Sequence, residues 1–135
     1  MIVDTSALVA YFNTSEPSHE AAANVIDNCQ EPLVVSPYVV AELDYLVGSR
    51  VGVDAELAVL DELAGGAWEL ATFDAPGVVV ATSVIKKYRD QRIGLADASN
   101  VVLADRYQTR TIATLDHRHF RVLRPLQGGR FTVVP

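Results

Sequence analysis

The residues in this chain whose placement suggests chemistry are four carboxylates. Met1-Ile2-Val3 is a short apolar run that ends at Asp4, and Thr111 to Leu115 is a second such run that ends at Asp116. An apolar strand finishing in an acid is how a buried parallel strand delivers a carboxylate to the carboxyl edge of a sheet, where open α/β folds bind and react. Asp97 lies at the beginning of a helix, and Glu42 lies in the second turn of another, so all four acids can face one edge. If the strands carrying Asp4 and Asp116 are neighbours, their backbones run about 5 Å apart. Carboxylates that close repel and raise one another's pKa. A hard divalent cation such as Mg²⁺ or Mn²⁺, which prefers carboxylate oxygen and water, relieves the repulsion. The chemistry served by such a site is phosphodiester hydrolysis, with positive charge held where the attacking and leaving oxygens become more negative.

Each acid also has an ordinary structural use. Asp4 can cap the helix that starts near Ser6, although Thr5 or Ser6 can take that role and free the carboxylate. Asp97 sits where unpaired N–H groups and the helix dipole favour an acid. Glu42 lies at the margin of the stripe formed by Val39, Leu43, Leu46 and Val47, where a boundary glutamate commonly pairs with a surface base.

The elements that must position these residues alternate between strand and helix. After the opening strand and a two-turn helix, a helix from Ser18 to Asn28 repeats Ala22, Val25 and Ile26 at helical spacing. Leu33-Val34-Val35 reads as a strand, and Ser36-Pro37 as the cap and first residue of a helix reaching Arg50. Asp54 to Leu63 predicts a helix packed on Leu57, Leu60 and Ala64. Trp68 to Ala71 follows the Gly65-Gly66 turn as a strand; Asp74 then caps a helix ending in the basic turn Lys86-Lys87. The helix opened by Asp97 carries Val101, Val102, Ala104 and Tyr107, and Phe131 to Val134 is a last strand after Gly128-Gly129. This grammar predicts one α/β domain over residues 1–135: a three-layer sandwich around a mainly parallel sheet of four or five strands.

Half of the residues are hydrophobic, enough for a packed core in a chain of 135. Cys29 is the only cysteine, which excludes an intrachain disulfide or a cysteine zinc cluster and suggests the reducing cytoplasm. No apolar run is long enough to span a membrane, and no basic region precedes the first apolar residues. The net charge of -6 is unevenly spread. Up to Asp74 there are thirteen acids against Arg50 alone; from Ala75 onward there are ten Lys and Arg against four acids. The basic half either forms a solvated surface or includes a phosphate-facing set.

In order and spacing, Asp4 in I-V-D-T-S-A-L, Glu42 in P-Y-V-V-A-E-L, Asp97 in L-A-D-A and Asp116 in T-L-D-H-R-H-F closely resemble PIN-domain ribonucleases. The resemblance covers essentially the whole chain and is specific to the VapC toxins of bacterial toxin-antitoxin pairs. It implies a PIN fold with a five-stranded parallel sheet, and a Mg²⁺-dependent endoribonuclease, with Mn²⁺ able to substitute. It also implies a homodimer and a VapB antitoxin whose C-terminal segment occupies the active-site groove. Asp4, Glu42, Asp97 and Asp116 inherit the acidic tetrad, Asp4 and Asp97 touching metal most directly and Glu42 and Asp116 directly or through water. Ser6 and Thr114 fall where the family tends to place a hydroxyl that steadies the carboxylates.

Other features are weaker. His117 and His119 follow closely on Asp116, but an oxygen-rich site and their i, i+2 spacing favour surface or RNA-contact roles over ligation. Tyr38, Tyr45 and Tyr88 suit core or dimer packing better than base stacking. Receiver domains and haloacid-dehalogenase-like phosphotransferases also place acids at strand ends; the former need adjacent acids where Val3-Asp4-Thr5 has one, and the latter a second acid where Ser6 stands. A module that only holds a basic peptide in an acidic pocket is the remaining alternative.

Overall fold

A computed structural model describes all 135 residues. The elements run β1 (Ile2–Val3), α1 (Thr5–Phe12), α2 (His19–Asp27), β2 (Val34–Val35), α3 (Pro37–Arg50) and α4 (Val53–Ala64). Then come β3 (Glu69–Leu70), α5 (Ala75–Lys87), a 3-10 turn (Arg89–Gln91), α6 (Leu95–Arg106), β4 (Thr111–Ala113), α7 (His117–Val122) and β5 (Thr132–Val134). The sheet has five strands in the order β3-β2-β1-β4-β5, and every neighbouring pair is parallel. Parallel pairing forces each connection to cross a face of the sheet, so helices cover both sides.

Successive strand residues point to opposite faces, and here that alternation sorts them into two cores. Ile2, Val34 and Ile112 pack with α5, α6 and α7 through Ala81, Val84, Val101, Leu103 and Phe120. Val3, Val35 and Ala113 pack with α1 to α4 through Leu8, Ile26, Val39, Leu43 and Leu63. On the three inner strands every residue except the half-buried Thr111 is essentially inaccessible. Phe120, 1% exposed and edge-on to Phe131, is the largest fully buried side chain in the first core. Phe120→Ala is expected to cost about 3–5 kcal/mol, measured by urea unfolding.

Local signals at the helix starts explain several boundaries. Ser36 accepts the Tyr38 N–H at 3.2 Å with Pro37 as the first helical residue, and Asp74 accepts the Gly77 N–H at 3.0 Å. Four expectations are corrected. Helix α1 begins at Thr5, which leaves Asp4 itself at the capping position, though its side chain makes no capping hydrogen bond. Helix α4 buries Val59 and Leu63, while Leu57 is 55% exposed and Ala64 is exposed. Strand β4 ends at Ala113, so Asp116 lies beyond it as the cap of α7, a helix too short and too rich in charge for periodicity to reveal. Finally, β3 lies at the sheet edge with both residues exposed, shorter than Trp68–Ala71.

Candidate active site

Strands β1 and β4 are the central neighbours, with Ile2 opposite Ile112 and Val3 opposite Ala113, and their carboxyl ends bring Asp4 beside the loop that carries Asp116. Asp4 is 6% exposed and fully engaged. Its Oδ2 accepts from the hydroxyls of Ser6 and Thr114, each at 2.9 Å, and its Oδ1 accepts from the Asn100 amide at 3.0 Å. Ser6 Oγ in turn accepts the Leu115 N–H and Thr114 Oγ1 accepts the Asp116 N–H, both at 2.9 Å. The two hydroxyls therefore spend their single protons on Asp4 while the loop backbone orients them. Through them Asp4 and the Asp116 loop are tied together.

The other acids reach the same place from separate elements. Asp97, in the first turn of α6, accepts the Gly94 N–H at 3.1 Å. Asp116 caps α7 by accepting the His119 N–H at 3.2 Å. Glu42 projects from the second turn of α3 and accepts from Thr5 Oγ1 at 2.5 Å. Consecutive residues of α1, Thr5 and Ser6, thus hold two of the acids. All four line one cavity of about 470 Å³, together with Gly94, His119 and Arg50.

The electrostatics are unfavourable by construction. Burial pushes the Asp4 carboxyl above the usual carboxylate range, against the opposing hydrogen bonds from Thr114 and Ser6. Asp97 is raised as well, first by burial and further by the negative charges of Asp4 and Asp116, with the Gly94 N–H and His119 opposing. His119 Nδ1 stands 3.2 Å from Asp97 Oδ2 and 3.1 Å from Asp116 Oδ2. It is aligned with neither well enough for a hydrogen bond. This places His119 inside the site and not on the surface.

Residues 1–124 match the PIN domain family. The chain belongs to the PIN-domain family. It is 68% identical over 135 residues to Ribonuclease VapC26 of Mycobacterium tuberculosis (strain ATCC 25618 / H37Rv), covering 100% of both chains. That relationship places it among the VapC ribonucleases. Among solved structures it resembles Mycobacterium tuberculosis VapC20, a Sarcin-Ricin loop cleaving toxin, with a TM-score of 0.85 at 18% identity over 99% of this chain and 98% of that one. It also resembles FitAcB from Neisseria gonorrhoeae, with a TM-score of 0.69 at 19% identity over 97% and 96% of the two chains. VapBC2 from Rickettsia felis, bound to a promoter DNA fragment, matches with a TM-score of 0.68 at 18% identity over 98% and 95%. At those identities the three structures speak to the fold.

As a PIN-domain centre, this donor set fits a hard divalent cation in kind: four carboxylates and no thiolate at one sheet edge. It does not present a closed cage, because no three acidic, histidine or cysteine side chains stand at ligating separation. Asp4 is clamped and Asp97 is held by its backbone contact, whereas the Asp116 side chain is 40% exposed and Glu42 is exposed.

Two residues of this PIN domain were not singled out by sequence. Thr5 was read only as a helix starter. Asn100 carries no sequence signal of its own, yet it is fully buried one turn after Asp97, with its amide on Asp4 and its Oδ1 without a partner. The available signal was the spacing: Asp97 and Asn100 are i, i+3 and share a face of α6. Asn100→Leu is expected to lower RNA cleavage about 10- to 100-fold, the usual cost of losing a group that orients a ligand. It should also cost about 1–3 kcal/mol of stability at neutral pH, where the buried carboxylate loses a donor. Turnover assays and chemical denaturation check the two parts.

Proposed function

We propose that this chain is the toxin of a type II toxin-antitoxin pair, a Mg²⁺-dependent endoribonuclease that hydrolyses phosphodiester bonds in structured RNA, with Mn²⁺ able to substitute. The observation that carries the reading is the convergence of Asp4, Glu42, Asp97 and Asp116 from four elements onto one cavity at the carboxyl edge of the sheet. Asp4 and Asp97 are the residues to hold the ion, with Asp116 and Glu42 completing the set directly or through water. When bound, the ion supplies a more acidic water and positive charge at the scissile phosphate. The protein's share is positional. Ser6, Thr114 and Asn100 fix the Asp4 carboxylate, Gly94 fixes Asp97, and Thr5 steadies Glu42.

Two surfaces support the partners of this reading. An apolar pocket of about 230 Å³ between α1, α3 and α4 shares Val9, Glu16, Leu46 and Arg50 with the acidic cavity, which suits the C-terminal segment of a VapB-type antitoxin running into the site. Val78, Val79 and Val80 are exposed on α5 and suit a homodimer. No helix is long and apolar enough to cross a membrane; cytoplasmic RNA is the proposed target.

The test uses antitoxin-free protein and a panel of structured RNAs with Mg²⁺, with Mn²⁺ and with chelator. Discrete cuts are expected only with metal. Cleavage by Asp97→Ala at the parent rate would sink the assignment.

A further inference from the structure

The cavity is lined by acids and one arginine, Arg50, and the ion serves the scissile phosphate alone, so the flanking phosphates of a polyanion call for cations beside the site. Of the ten basic residues after Asp74, several are engaged elsewhere. Arg106 donates to the Thr72 carbonyl at 2.5 Å and lies over the Phe73 ring, and Arg124 donates to the carbonyls of Arg121 and Leu123. Arg110 lies against Gly129, where a Cβ would come within 2.6 Å of its guanidinium. Lys86, Arg89, Arg92 and Arg118 are exposed and have no acidic partner.

Chain connectivity puts two of these cations within two residues of the cavity lining, Arg92 before Gly94 and Arg118 after Asp116. Helices α5 and α6 pack along one another and are joined only by residues 88–94, so the basic end of α5 reaches the start of α6. There Gly94 and Asp97 line the cavity, and Arg92 is two residues before Gly94. The turn is anchored, because Ile93 is 7% exposed and Tyr88 packs against the core. Arg92 itself is held at φ 55°, in the left-handed region that a non-glycine residue seldom occupies. On the other flank Arg118 follows Asp116 by two residues in the first turn of α7. The two flanks meet at the cavity, as the His119 ring between Asp97 and Asp116 shows. The opposite wall, from α1 to α3, carries Glu16, Glu42 and a single base, Arg50.

We propose that the α5–α6 turn and the first turn of α7 form the RNA-backbone platform of this protein: Arg89, Arg92 and Arg118 hold phosphates on either side of the scissile bond, and the strand crosses the cavity along the α6–α7 flank. This rests on the ribonuclease reading above. Backbone contacts position a substrate without reading its sequence, so cleavage sites depend on other parts of the groove. Each lost phosphate contact reduces the salt dependence of binding by about 0.7–0.9 in log–log slope.

The experiment measures binding of a cleavable RNA against salt in chelator, and KM and kcat with Mg²⁺, for the parent, Arg89→Gln/Arg92→Gln, Arg89→Lys/Arg92→Lys and Arg130→Gln. Arg130 is exposed before β5, at the opposite edge of the sheet. The Gln pair is expected to lower the slope by about 1.5, to raise KM about 10-fold or more and to leave the cut positions in place, with kcat changed less than KM. The Lys pair should retain the parent slope, and so should Arg130→Gln. The inference is overturned if the parent cuts RNA but the Gln pair keeps its slope and KM, or if Arg130→Gln matches the Gln pair. Loss of antitoxin binding with RNA binding intact would overturn it as well, by assigning the platform to a protein partner. A parent that cuts no RNA fails the underlying reading instead.

Discussion

Asp4→Asn is expected to reduce RNA cleavage by about a thousandfold while making the metal-free protein more stable. The two effects share one cause. Asp4 is buried, and burial raises its pKa in the folded protein. Between the ordinary carboxylate pKa and that raised value the native state holds more protons than the unfolded chain, so stability falls as pH rises through this window. Above the window the whole penalty is present. Asp97 acts in the same direction. Metal-free protein should therefore melt at a higher temperature in mildly acidic buffer than at neutral pH, until protonation of groups elsewhere reverses the trend. Asparagine at position 4 removes the charge, and Asn100 can turn its unpartnered Oδ1 toward the new amide. The gain at neutral pH is expected at about 1–3 kcal/mol, the usual desolvation penalty of one buried polar group, or roughly 4 °C per kcal/mol in a chain of this size. Calorimetry across pH in chelator checks it. A variant less stable than the parent at neutral pH would show that the hydrogen bonds to Asp4 outweigh its desolvation.

Adding Mg²⁺ is expected to raise the melting temperature of the parent strongly and that of Asp4→Asn hardly at all. An ion that binds only the folded state stabilises it by about 2.7 kcal/mol at a hundred times its dissociation constant, which is roughly 10 °C here. Chelation should still leave a cooperatively folded protein, because the two cores on either side of the sheet, and not the acidic edge, hold the elements together. Loss of cooperative melting in chelator would make the ion structural. A melting temperature indifferent to Mg²⁺ and Mn²⁺ would contradict metal binding by the clamped pair Asp4 and Asp97.

The alternation of strands and helices, the end of β1 just before Asp4 and the start of α3 were legible because their signals are local. A short apolar run before Asp4 and the Ser36-Pro37 helix start each declare a boundary within a few residues. A parallel sheet of five strands followed from alternation together with the resemblance, but the strand order β3-β2-β1-β4-β5 did not. What could not be read depended on contacts across the fold. Helix α4 offers Leu57 and Leu60 as one apolar face and Val59 and Leu63 as another, and only packing against Trp68 and Leu43 selects the second. Helix α6 is buried continuously from Ala98 to Ala104, so no polar face marks which side Asn100 occupies. The place of His119 depends on where α7 meets α6, which neither segment encodes alone.

Asp4 and Thr114 touch across 110 residues of chain, and the strands on which they ride are central neighbours. The first carboxylate is synthesised almost at once, but the hydroxyl that orients it and the acid that faces it arrive only after three other strands have been laid down. A polypeptide interrupted before Asp116 lacks the last of the acids that line the cavity, however well its earlier segments fold. The contacts that join β1 to the Asp116 loop therefore form only once synthesis has passed β4, and the assembled acidic edge is a property of the finished chain alone.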